Sequence, residues 1–371
     1  MNTHTYSTWL EIDLGAIKHN INVIKKMTRT QVMAVIKANG YGHGVLTVAK
    51  AVTDAGATWC GVARMEEALN LRKAGITSEV MVLGYSPPAL IPDAIQNDIH
   101  VAVYDVSMAK AYSEMAKKSG GRLKAHIKVE TGMGRLGMPV AQVRDFLASY
   151  QNSDLIIIDG IFTHFARADE INTNATQEQL FIFNDLLFQL QRADLHPGFT
   201  HAANSAAVIN YPEAYFDMVR PGIAIFGLDP ASNTPLPSSF KPALTWKARL
   251  TSVRLMPPGQ GVSYGSIYVT SGEERIGVVP VGYGDGYRRE PDQKVLIRGK
   301  QVDVVGKICM DQFMVQLDSV PDAAPGDEVV LLGKQGDLQI TASDLAARWG
   351  TVNYEVVCGL ADRLPRLYYE S

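Results

Sequence analysis

Short runs that are mainly apolar recur along the first part of the chain, and between these runs apolar residues are spaced three or four positions apart. The runs are typical of buried strands, and the spaced segments are typical of amphipathic helices. Helical spacing is found at 44–55, 65–74, 105–119, 139–150 and 176–193. Eight runs are predicted as strands one to eight: QVMAVI (31–36), TWCGVA (58–63), VMVLG (80–84), IHVAVY (99–104), LKAHIKV (123–129), LIIIDGIFTH (155–164), FTHAAN (199–204) and FDMVR (216–220).

The alternation of eight strands with helices predicts an α/β fold built as a (β/α)8 TIM-type barrel. Periodicity alone leaves an open, doubly wound sheet as an alternative. Polar residues favour the barrel, because a barrel gathers its active site at the carboxyl ends of its strands. Such ends carry Lys37, Lys128, His164, Asn204 and Arg220, after strands one, five, six, seven and eight.

The sequence changes character within PASNTPLPSSFKP (230–242), a segment rich in Pro and Ser that is typical of a linker. The residues beyond it form short β-branched runs, such as RIGVVPV and EVVLLG, between turn sequences. One helix is predicted near 342–349, with Thr341 or Ser343 as its N-cap. We therefore expect a barrel domain at 1–240 and a smaller, mainly β domain at 241–371. The first residues, about ten of them, are expected to pack on the β domain.

Two segments that follow predicted strands carry candidate chemistry: AVIKANGYGHG (34–44) and VRPGIAIFG (219–227). Lys37 emerges from an apolar strand into a Gly-rich turn, and burial favours the neutral, nucleophilic amine that Schiff-base chemistry needs. An Arg-Pro-Gly turn that opens a helix offers free N–H groups and the positive end of the helix dipole to a phosphate. A lysine together with a phosphate cradle is the combination that pyridoxal 5'-phosphate (PLP) requires.

The net charge of −3 on 371 residues gives no global attraction to nucleic acid or anionic lipid, so an anionic substrate must be bound by local arginines. The first residues show no basic stretch followed by an apolar one, which predicts no secretory signal. No apolar run approaches the length of a membrane span. Cys60, Cys309 and Cys358 lack metal-ligand spacing and are expected to be reduced thiols of a cytoplasmic protein. No metal site is predicted.

Nine blocks, in order, make the chain similar to the alanine racemase family over essentially its whole length. This resemblance implies a PLP-dependent isomerase that interconverts L-alanine and D-alanine and supplies D-alanine for bacterial cell-wall peptidoglycan. It also implies a homodimer whose active sites are shared between the subunits. The blocks are AVIKANGYGHG (34–44), HIKVETGMGRLGM (126–138), FTHFARAD (162–169), HAANSAA (201–207), VRPGIAIFG (219–227), VSYG (262–265), VGYGDGYRR (281–289), GKICMDQFMV (306–315) and TVNYEVVC (351–358).

Racemisation requires two groups that exchange the Cα proton on opposite faces of the cofactor. The resemblance implies that Lys37 is one of these bases and that Tyr264 of the other subunit is the second. A phenol with a pKa near ~10 is a poor base at neutral pH, and the resemblance implies a hydrogen-bond chain from Tyr264 through His201 to Arg220. Arg220 is also expected to face the pyridine nitrogen, where it cannot accept a proton and so leaves the ring neutral.

The resemblance assigns roles to further residues. Arg135 and Met310 are expected to contact the substrate carboxylate. Lys128, as a carbamate, is expected to hold Arg135, and Asp311 is expected to support Met310, whereas His201 is expected to act only in the chain to Arg220. Asp169, Tyr283 and Arg289 are expected to line the entryway. The expected cofactor contacts are Lys37, Tyr41, Leu83, His164, Asn204, Ser205, Arg220, Gly222, Ile223 and Tyr354.

Three other functions remain open. An apolar pocket rejects one extra hydroxyl group only weakly, which leaves a serine racemase or a racemase of broader specificity as an alternative. A PLP-dependent decarboxylase of the same barrel fold would need a carboxylate in place of Arg220, and VRPGIAIFG argues against it. A non-catalytic PLP carrier would be a bare barrel, whereas this chain has a second predicted domain that carries Tyr264.

Overall fold

The structure is a computed structural model that describes residues 5–170 and 172–371. The chain forms two compact units. One unit, called the barrel unit below, comprises 17–40 and 45–241. The other, called the β unit, comprises the residues up to Ala16, the segment 41–44 and the residues from Pro242 onward.

The barrel unit contains the eight predicted strands as one closed parallel sheet. Each strand pairs with the next, and strand eight pairs back to strand one through Met218 and Gln31. The predicted (β/α)8 barrel is therefore confirmed. The strands are Gln31–Val35, Trp59–Val62, Glu79–Val82, Ile99–Val103, Leu123–Glu130, Ile156–Phe162, Phe199–His201 and Met218–Val219, and a short additional strand, Met138–Pro139, pairs with strand five.

The helices of the barrel pack their apolar faces on this sheet. The five helices predicted from the sequence are present, and three shorter or earlier ones, Leu14–Thr28, Ile91–Gln96 and Ser205–Asn210, accompany them. The predicted helix after strand eight is wrong, because the chain makes only a four-residue 3₁₀ turn, Ile223–Phe226, that ends at Gly227 in the left-handed region. The five predicted helices are Val45–Asp54, Met65–Lys73, Val106–Ser119, Val140–Tyr150 and Ala175–Arg192.

Large side chains from six of the strands fill the interior of the barrel. The cluster consists of Met33, Trp59, Met81, Ala102, Phe162 and Met218. A barrel of eight strands encloses a packed core and no pore. The chemically active residues consequently lie at the carboxyl ends of the strands, with the exception of three buried histidines that share the interior with this cluster.

The β unit is built on one mixed sheet that includes the strand nearest the N-terminus. That strand, Thr8–Asp13, lies between Leu244–Arg249, which is antiparallel to it, and Arg366–Tyr369, which is parallel. The predicted helix is confirmed as Ala342–Arg348, with Thr341 Oγ1 accepting from the N–H of Asp344. A second helix, Asn353–Cys358, follows it. The other strands are Ser252–Met256, Gly261–Val262, Tyr268–Val269, Glu274–Val279, Lys294–Ile297, Lys300–Val305, Phe313–Gln316, Glu328–Gln335 and Leu338–Ile340.

Among the described residues, the helices are all too short or too polar to cross a lipid bilayer.

Candidate active site

Lys37 begins an unusual turn directly after strand one. Ala38, Asn39 and Gly40 follow it with φ of 54°, 54° and 63° and ψ of 54°, 43° and 43°, which is left-handed helical backbone. Such a conformation costs about 1–2 kcal/mol per residue for an L-amino acid with a side chain. A strained segment of this kind persists only where its surroundings fix it, and such segments concentrate at functional sites.

Two side chains fix this left-handed turn within the barrel unit. Glu67 accepts the N–H of Ala38 at 2.7 Å with one carboxylate oxygen. Its other oxygen accepts the N–H groups of Ala63 at 2.8 Å and Arg64 at 3.1 Å. Asn39 accepts the N–H of Val45 at 2.9 Å and so joins the turn to the next helix. The backbone that directly follows Lys37 is therefore held in one position.

Arg220 lies at the end of strand eight and is 4% exposed. It donates to the carbonyl oxygens of Thr163 at 2.7 Å and Ala202 at 3.1 Å. Its guanidinium also lies 3.0 Å from His201 Nδ1 and 3.4 Å from His164 Nδ1. Among the described residues it forms no ion pair with a carboxylate. Burial lowers the pKa of Arg220 to about 9, so the group is still a cation at neutral pH.

His201 does not have the free nitrogen that the expected link to Tyr264 requires. Its side chain is fully buried, with Nδ1 at 3.0 Å from Arg220 and Nε2 at 2.9 Å from His126 Nδ1. The Arg220 half of the expected hydrogen-bond chain is present. Nε2 of His201 points into the barrel, toward His126. His164 is the second histidine that lies close to the Arg220 guanidinium.

The turns after strands seven and eight meet through Ser205. The Ser205 hydroxyl accepts the N–H groups of Gly222 at 2.8 Å and Ala224 at 3.4 Å. Asn204 caps the short helix that follows, with its side-chain oxygen 3.0 Å from the N–H of Ala207. Within the described residues, the N–H groups of Ser205 and Ile223 have no hydrogen-bond acceptor, although both residues are buried.

Buried backbone N–H groups need an acceptor, and an anion at the start of a helix supplies one. The two free donors beside Ser205 therefore fit a phosphate. Lys37 and Arg220 lie at strand ends of the same barrel unit, which provides the amine and the donor that the remainder of PLP requires. Leu83 packs against the barrel cluster at the end of strand three.

Lys128 is a buried cation among other cations. Burial, followed by the charges of Arg135 and Arg220, lowers the pKa of Lys128 to about 8, and Lys37 contributes in the same direction. Burial and the charge of Arg220 also hold the pKa of His164 well below its usual range, so His164 is neutral. These mutual effects place Lys37, Lys128, Arg135, His164 and Arg220 within one electrostatic environment.

Glu130 shapes the turn that carries Arg135. Its carboxylate accepts the N–H of Gly132 at 2.6 Å and that of Gly134 at 3.0 Å, which closes the GMGRLG segment around it. Arg135 itself is exposed and lines a cleft with Tyr85, Tyr104 and Leu136. Asp169, expected at the entryway, is partly buried, and its carbonyl accepts from Thr234 at 2.9 Å.

In the β unit, Tyr264, Met310 and Asp311 line one groove of about 850 Å³. The Tyr264 side chain is 69% exposed. It follows Ser263, whose φ is 66° and whose hydroxyl donates to the carbonyl of Lys307 at 2.6 Å. The structure therefore brings together Tyr264, Met310 and Asp311, three site residues that the sequence analysis predicted in this unit.

Two further contacts organise the rim of this groove. Arg363 bridges Asp311 at 2.8 Å and Asp285 at 2.7 Å, and so fixes the residue that follows Met310. The N–H of Tyr283 donates to the carbonyl of Cys309 at 3.1 Å, which places the predicted entryway tyrosine beside the same segment. Arg289 is exposed.

Tyr41 and Tyr354 form a second pair in the β unit. Their ring centroids are 6.1 Å apart, and burial together with Tyr354 raises the pKa of Tyr41. Gly42 beside them has a φ of 79°, and a Cβ there would lie 2.0 Å from the carbonyl oxygen of Val357. The glycine that follows Tyr41 is therefore required by close packing on the helix that carries Tyr354.

Models of two protein families cover nearly the whole chain. The N-terminal domain of alanine racemase matches 12–230, and the C-terminal domain of alanine racemase matches 243–368. The chain belongs to the alanine racemase family. Its relatives include the alanine racemases of Symbiobacterium thermophilum, 43% identical over 97% of both chains, and of Desulfovibrio desulfuricans, 42% identical over 98% of both.

Solved structures of alanine racemases share its fold. The enzyme of Clostridium difficile is 37% identical, superposes with a TM-score of 0.94 and covers 99% of this chain and 97% of its own. The alanine racemase of Bacillus anthracis, solved with bound L-Ala-P, is 37% identical with a TM-score of 0.91 and covers 98% of this chain and 95% of its own.

The sequence analysis missed residues that position the site of this alanine racemase family member. Glu67 and Glu130 hold the backbone near Lys37 and Arg135, and Arg363 and His126 contact Asp311 and His201 directly. One of them left a signal in the sequence. His126 stands two positions before Lys128 in a strand, and this spacing puts both side chains on the same face.

Proposed function

We propose that the protein interconverts L-alanine and D-alanine with PLP as its cofactor. The observation that carries this proposal is the environment of Arg220: a buried cation with no carboxylate partner among the described residues, held by carbonyl oxygens and a histidine. A guanidinium cannot accept the pyridine proton. The ring then remains a moderate electron sink, which suits proton exchange at Cα better than decarboxylation or transamination.

The residues proposed to hold PLP come mainly from the barrel unit. Lys37 would be the attachment site, the free N–H groups of Ser205 and of Ile223, which follows Gly222, would bind the phosphate, and Arg220 would donate to the pyridine nitrogen. When bound, PLP withdraws electrons from the substrate and so acidifies its Cα proton. Tyr41, Leu83, His164, Asn204 and Tyr354 are proposed to contact or support the cofactor.

Two residues are proposed to move the Cα proton. Lys37 Nζ takes or returns it on one face, and the Tyr264 phenolic oxygen does so on the other. We propose that Tyr264 and Met310 belong to a second copy of the chain in a homodimer, so that each site is shared. Tyr264 and Met310 are 69% and 53% exposed, so both side chains can be reached by groups of another chain, which agrees with this assignment.

A phenol acts as a base at neutral pH only if nearby groups favour its ionised form. His164 is neutral and touches Arg220 at 3.4 Å, and we propose that it replaces His201 in the chain from Arg220 to Tyr264. Arg135 and the backbone of Met310 are proposed to bind the substrate carboxylate. Lys128 as a carbamate would hold Arg135, Asp311 would support Met310, and Asp169, Tyr283 and Arg289 would line the entryway.

The direct test is to add L-alanine to the purified protein with PLP and to follow optical rotation and released carbon dioxide together. Loss of rotation without carbon dioxide is expected. Gas release would identify a decarboxylase, and the absence of both would contradict catalysis. L-serine in a parallel assay measures specificity, and slow turnover is expected. We also propose a cytoplasmic location, which agrees with cysteines that form no disulfide among the described residues.

A further inference from the structure

Three histidines lie inside the barrel, below the strand ends that carry the proposed site. His100, His126 and His201, from strands four, five and seven, are each at most 1% exposed. The rings of His126 and His201 are joined at 2.9 Å between Nδ1 and Nε2, and His201 Nδ1 lies 3.0 Å from Arg220. Polar groups thus continue from Arg220 into an interior that is otherwise apolar.

Chemistry fixes the direction of these hydrogen bonds. A guanidinium only donates, so His201 Nδ1 must be the acceptor. Burial holds the pKa values of His201 and His126 well below their usual range, and both rings are neutral with a single proton each. The proton of His201 is then on Nε2 and is donated to His126 Nδ1. By the same reasoning the proton of His126 is on its own Nε2.

The fold makes room for His126. A Cβ at Gly160, on the neighbouring strand, would lie 2.2 Å from His126 Nδ1. The register between strands five and six shifts at His126. Phe162 stacks on His201 with an interplanar angle of 4° and a centroid distance of 4.8 Å, which orients that ring. Both rings are consequently held in defined positions.

The hydrogen-bonded series ends at His126, whose Nε2 has no hydrogen-bond partner among the described residues, although carboxylates lie nearby. A ring nitrogen of His126, a ring nitrogen of His100 and a carboxylate oxygen of Asp159 lie within 4.8 Å of one another. His100 Nε2 is 3.0 Å from Glu79, and Nδ1 is 3.5 Å from Asp159. These three groups have the donor types of a metal site, but the proton on His126 Nε2 leaves that nitrogen no lone pair for a metal.

We propose that His126 is a positioning residue for Arg220. It supplies the acceptor for His201 Nε2–H and thereby keeps the Nδ1 lone pair of His201 directed at the guanidinium. Without it, the buried Nε2–H of His201 would have no acceptor, and this cost is relieved when the ring turns or its proton moves to Nδ1. Either change removes an acceptor from Arg220. The consequence for catalysis rests on the proposed function, whereas the tautomers do not.

The tautomers can be measured in the full-length protein, labelled with ¹⁵N-histidine. In the wild type, the ring nitrogens of His201 and His126 should each resolve into a protonated Nε2 and an unprotonated Nδ1. A proton on His201 Nδ1 would overturn the proposal without any variant. This readout is independent of racemisation, so it separates failure of the inference from failure of the proposed function.

Two variants at one position separate positioning from stability. His126→Asn keeps a side-chain acceptor where Nδ1 stands, whereas His126→Leu removes it. Ile127→Ala, a buried neighbour in the same strand, opens a cavity without touching the chain of histidines. His126→Leu should shift the His201 resonances and lower kcat about tenfold with little change in KM, while His126→Asn keeps both near wild type.

Ile127→Ala should lose stability but retain the wild-type His201 resonances. If His126→Leu leaves those resonances unchanged, or if His126→Asn and His126→Leu lose the same amount of kcat, His126 does not position Arg220. If His126→Leu does not fold, the wild-type tautomers and the His126→Asn kinetics still decide the question.

Discussion

The carboxylate of Glu67 accepts the backbone N–H of Ala38 at 2.7 Å, immediately after Lys37. Since its second oxygen accepts two further N–H groups, replacing it with an amide turns an acceptor into a donor that faces donors. We expect Glu67→Gln to lower the free energy of unfolding by about 1–3 kcal/mol and to weaken PLP retention. Thermal denaturation and cofactor release on dilution measure the two effects. Glu66→Gln, at an exposed neighbour, is the control and should change neither.

The attachment of PLP to Lys37 is testable chemically. Borohydride reduction of the PLP-loaded protein, followed by peptide mapping, should place the pyridoxyl label on the peptide that contains KANGYGHG. Lys37→Ala should carry no label, while Lys128→Arg should still be labelled at Lys37. A label on any other lysine in the wild type would contradict the assignment.

The two proposed bases should be separable by enantiomer. Tyr264→Phe should bind PLP but abstract the L-alanine proton about 10²–10⁴ times more slowly, the usual worth of a positioned base. D-alanine should still exchange its Cα proton with solvent through Lys37, without inversion. Deuterium exchange followed by NMR distinguishes the two substrates, and equal exchange of both in the variant would rule out the scheme.

The shared site predicts complementation between inactive subunits. A heterodimer of Tyr264→Phe and Lys37→Ala chains should contain a site with both defects and a site with neither. Mixing the two variants should therefore restore activity. If a heterodimer forms, as measured by mass, and no activity returns, both residues act within the same chain.

Lys128 should form a carbamate that depends on pH. Carbamate formation requires a neutral amine, and because burial and Arg135 lower the pKa of Lys128 to about 8, the neutral fraction grows as pH rises through that value. Labelled ¹³C-bicarbonate should give a protein-bound carbamate signal that increases across this window and disappears in Lys128→Arg. Lys124 on the same strand is the matched control. Its hydrogen bond to Asp98 raises its pKa, so Lys124→Arg should leave the signal unchanged.

The lowered pKa of Lys128 also predicts how the free energy of unfolding changes with pH. The pKa of Lys128 is lower in the folded chain than the usual 10.5, so between about 8 and 10.5 the unfolded chain holds a proton that the folded chain has lost. The free energy of unfolding therefore rises with pH in that window. This contribution should be absent in Lys128→Met, which can be checked by denaturant titration at several pH values without bicarbonate.

Two glycines of the lysine turn should differ in their tolerance of alanine. At Gly40 a Cβ would meet its nearest neighbours at 3.4 Å, so Gly40→Ala carries mainly the backbone cost of about 1–2 kcal/mol. At Gly42 the Cβ would lie 2.0 Å from the carbonyl oxygen of Val357, and the backbone must move. We expect Gly42→Ala to lose more stability and to disturb Tyr41. Thermal denaturation of both variants would contradict the packing argument if their losses were equal.

The sequence predicted the barrel well because most of its strands are largely apolar runs that lie between segments of helical period. It failed after strand eight, where the Arg-Pro-Gly turn predicted a helix but Gly227 ends the 3₁₀ turn after four residues. It also did not identify the strands at 8–13 and 366–369, since their pairing joins residues from opposite ends of the chain, and local pattern carries no information about such partners.

The candidate site, too, could be predicted only in part from the sequence. Lys37, Arg220 and Ser205 stand in motifs, and the structure places each at a strand end where the pattern put it. The left-handed backbone after Lys37 and the orientation of His201 follow from Glu67 and His126, which lie far away in sequence from the residues that they hold. A histidine tautomer, in particular, is fixed by a hydrogen-bond partner that is distant in sequence, so the neighbouring residues do not reveal it.

The surroundings of Arg220 constrain how this protein can evolve. The carbonyl oxygens of Thr163 and Ala202 and the lone pair of His201 all point at position 220, so an acidic side chain there would meet these acceptors where Arg220 donates. Two of these acceptors belong to the backbone, which substitution at their own positions does not remove. A change of reaction type that begins with an acid at this position would therefore pass through an unstable intermediate, and other positions would have to change first.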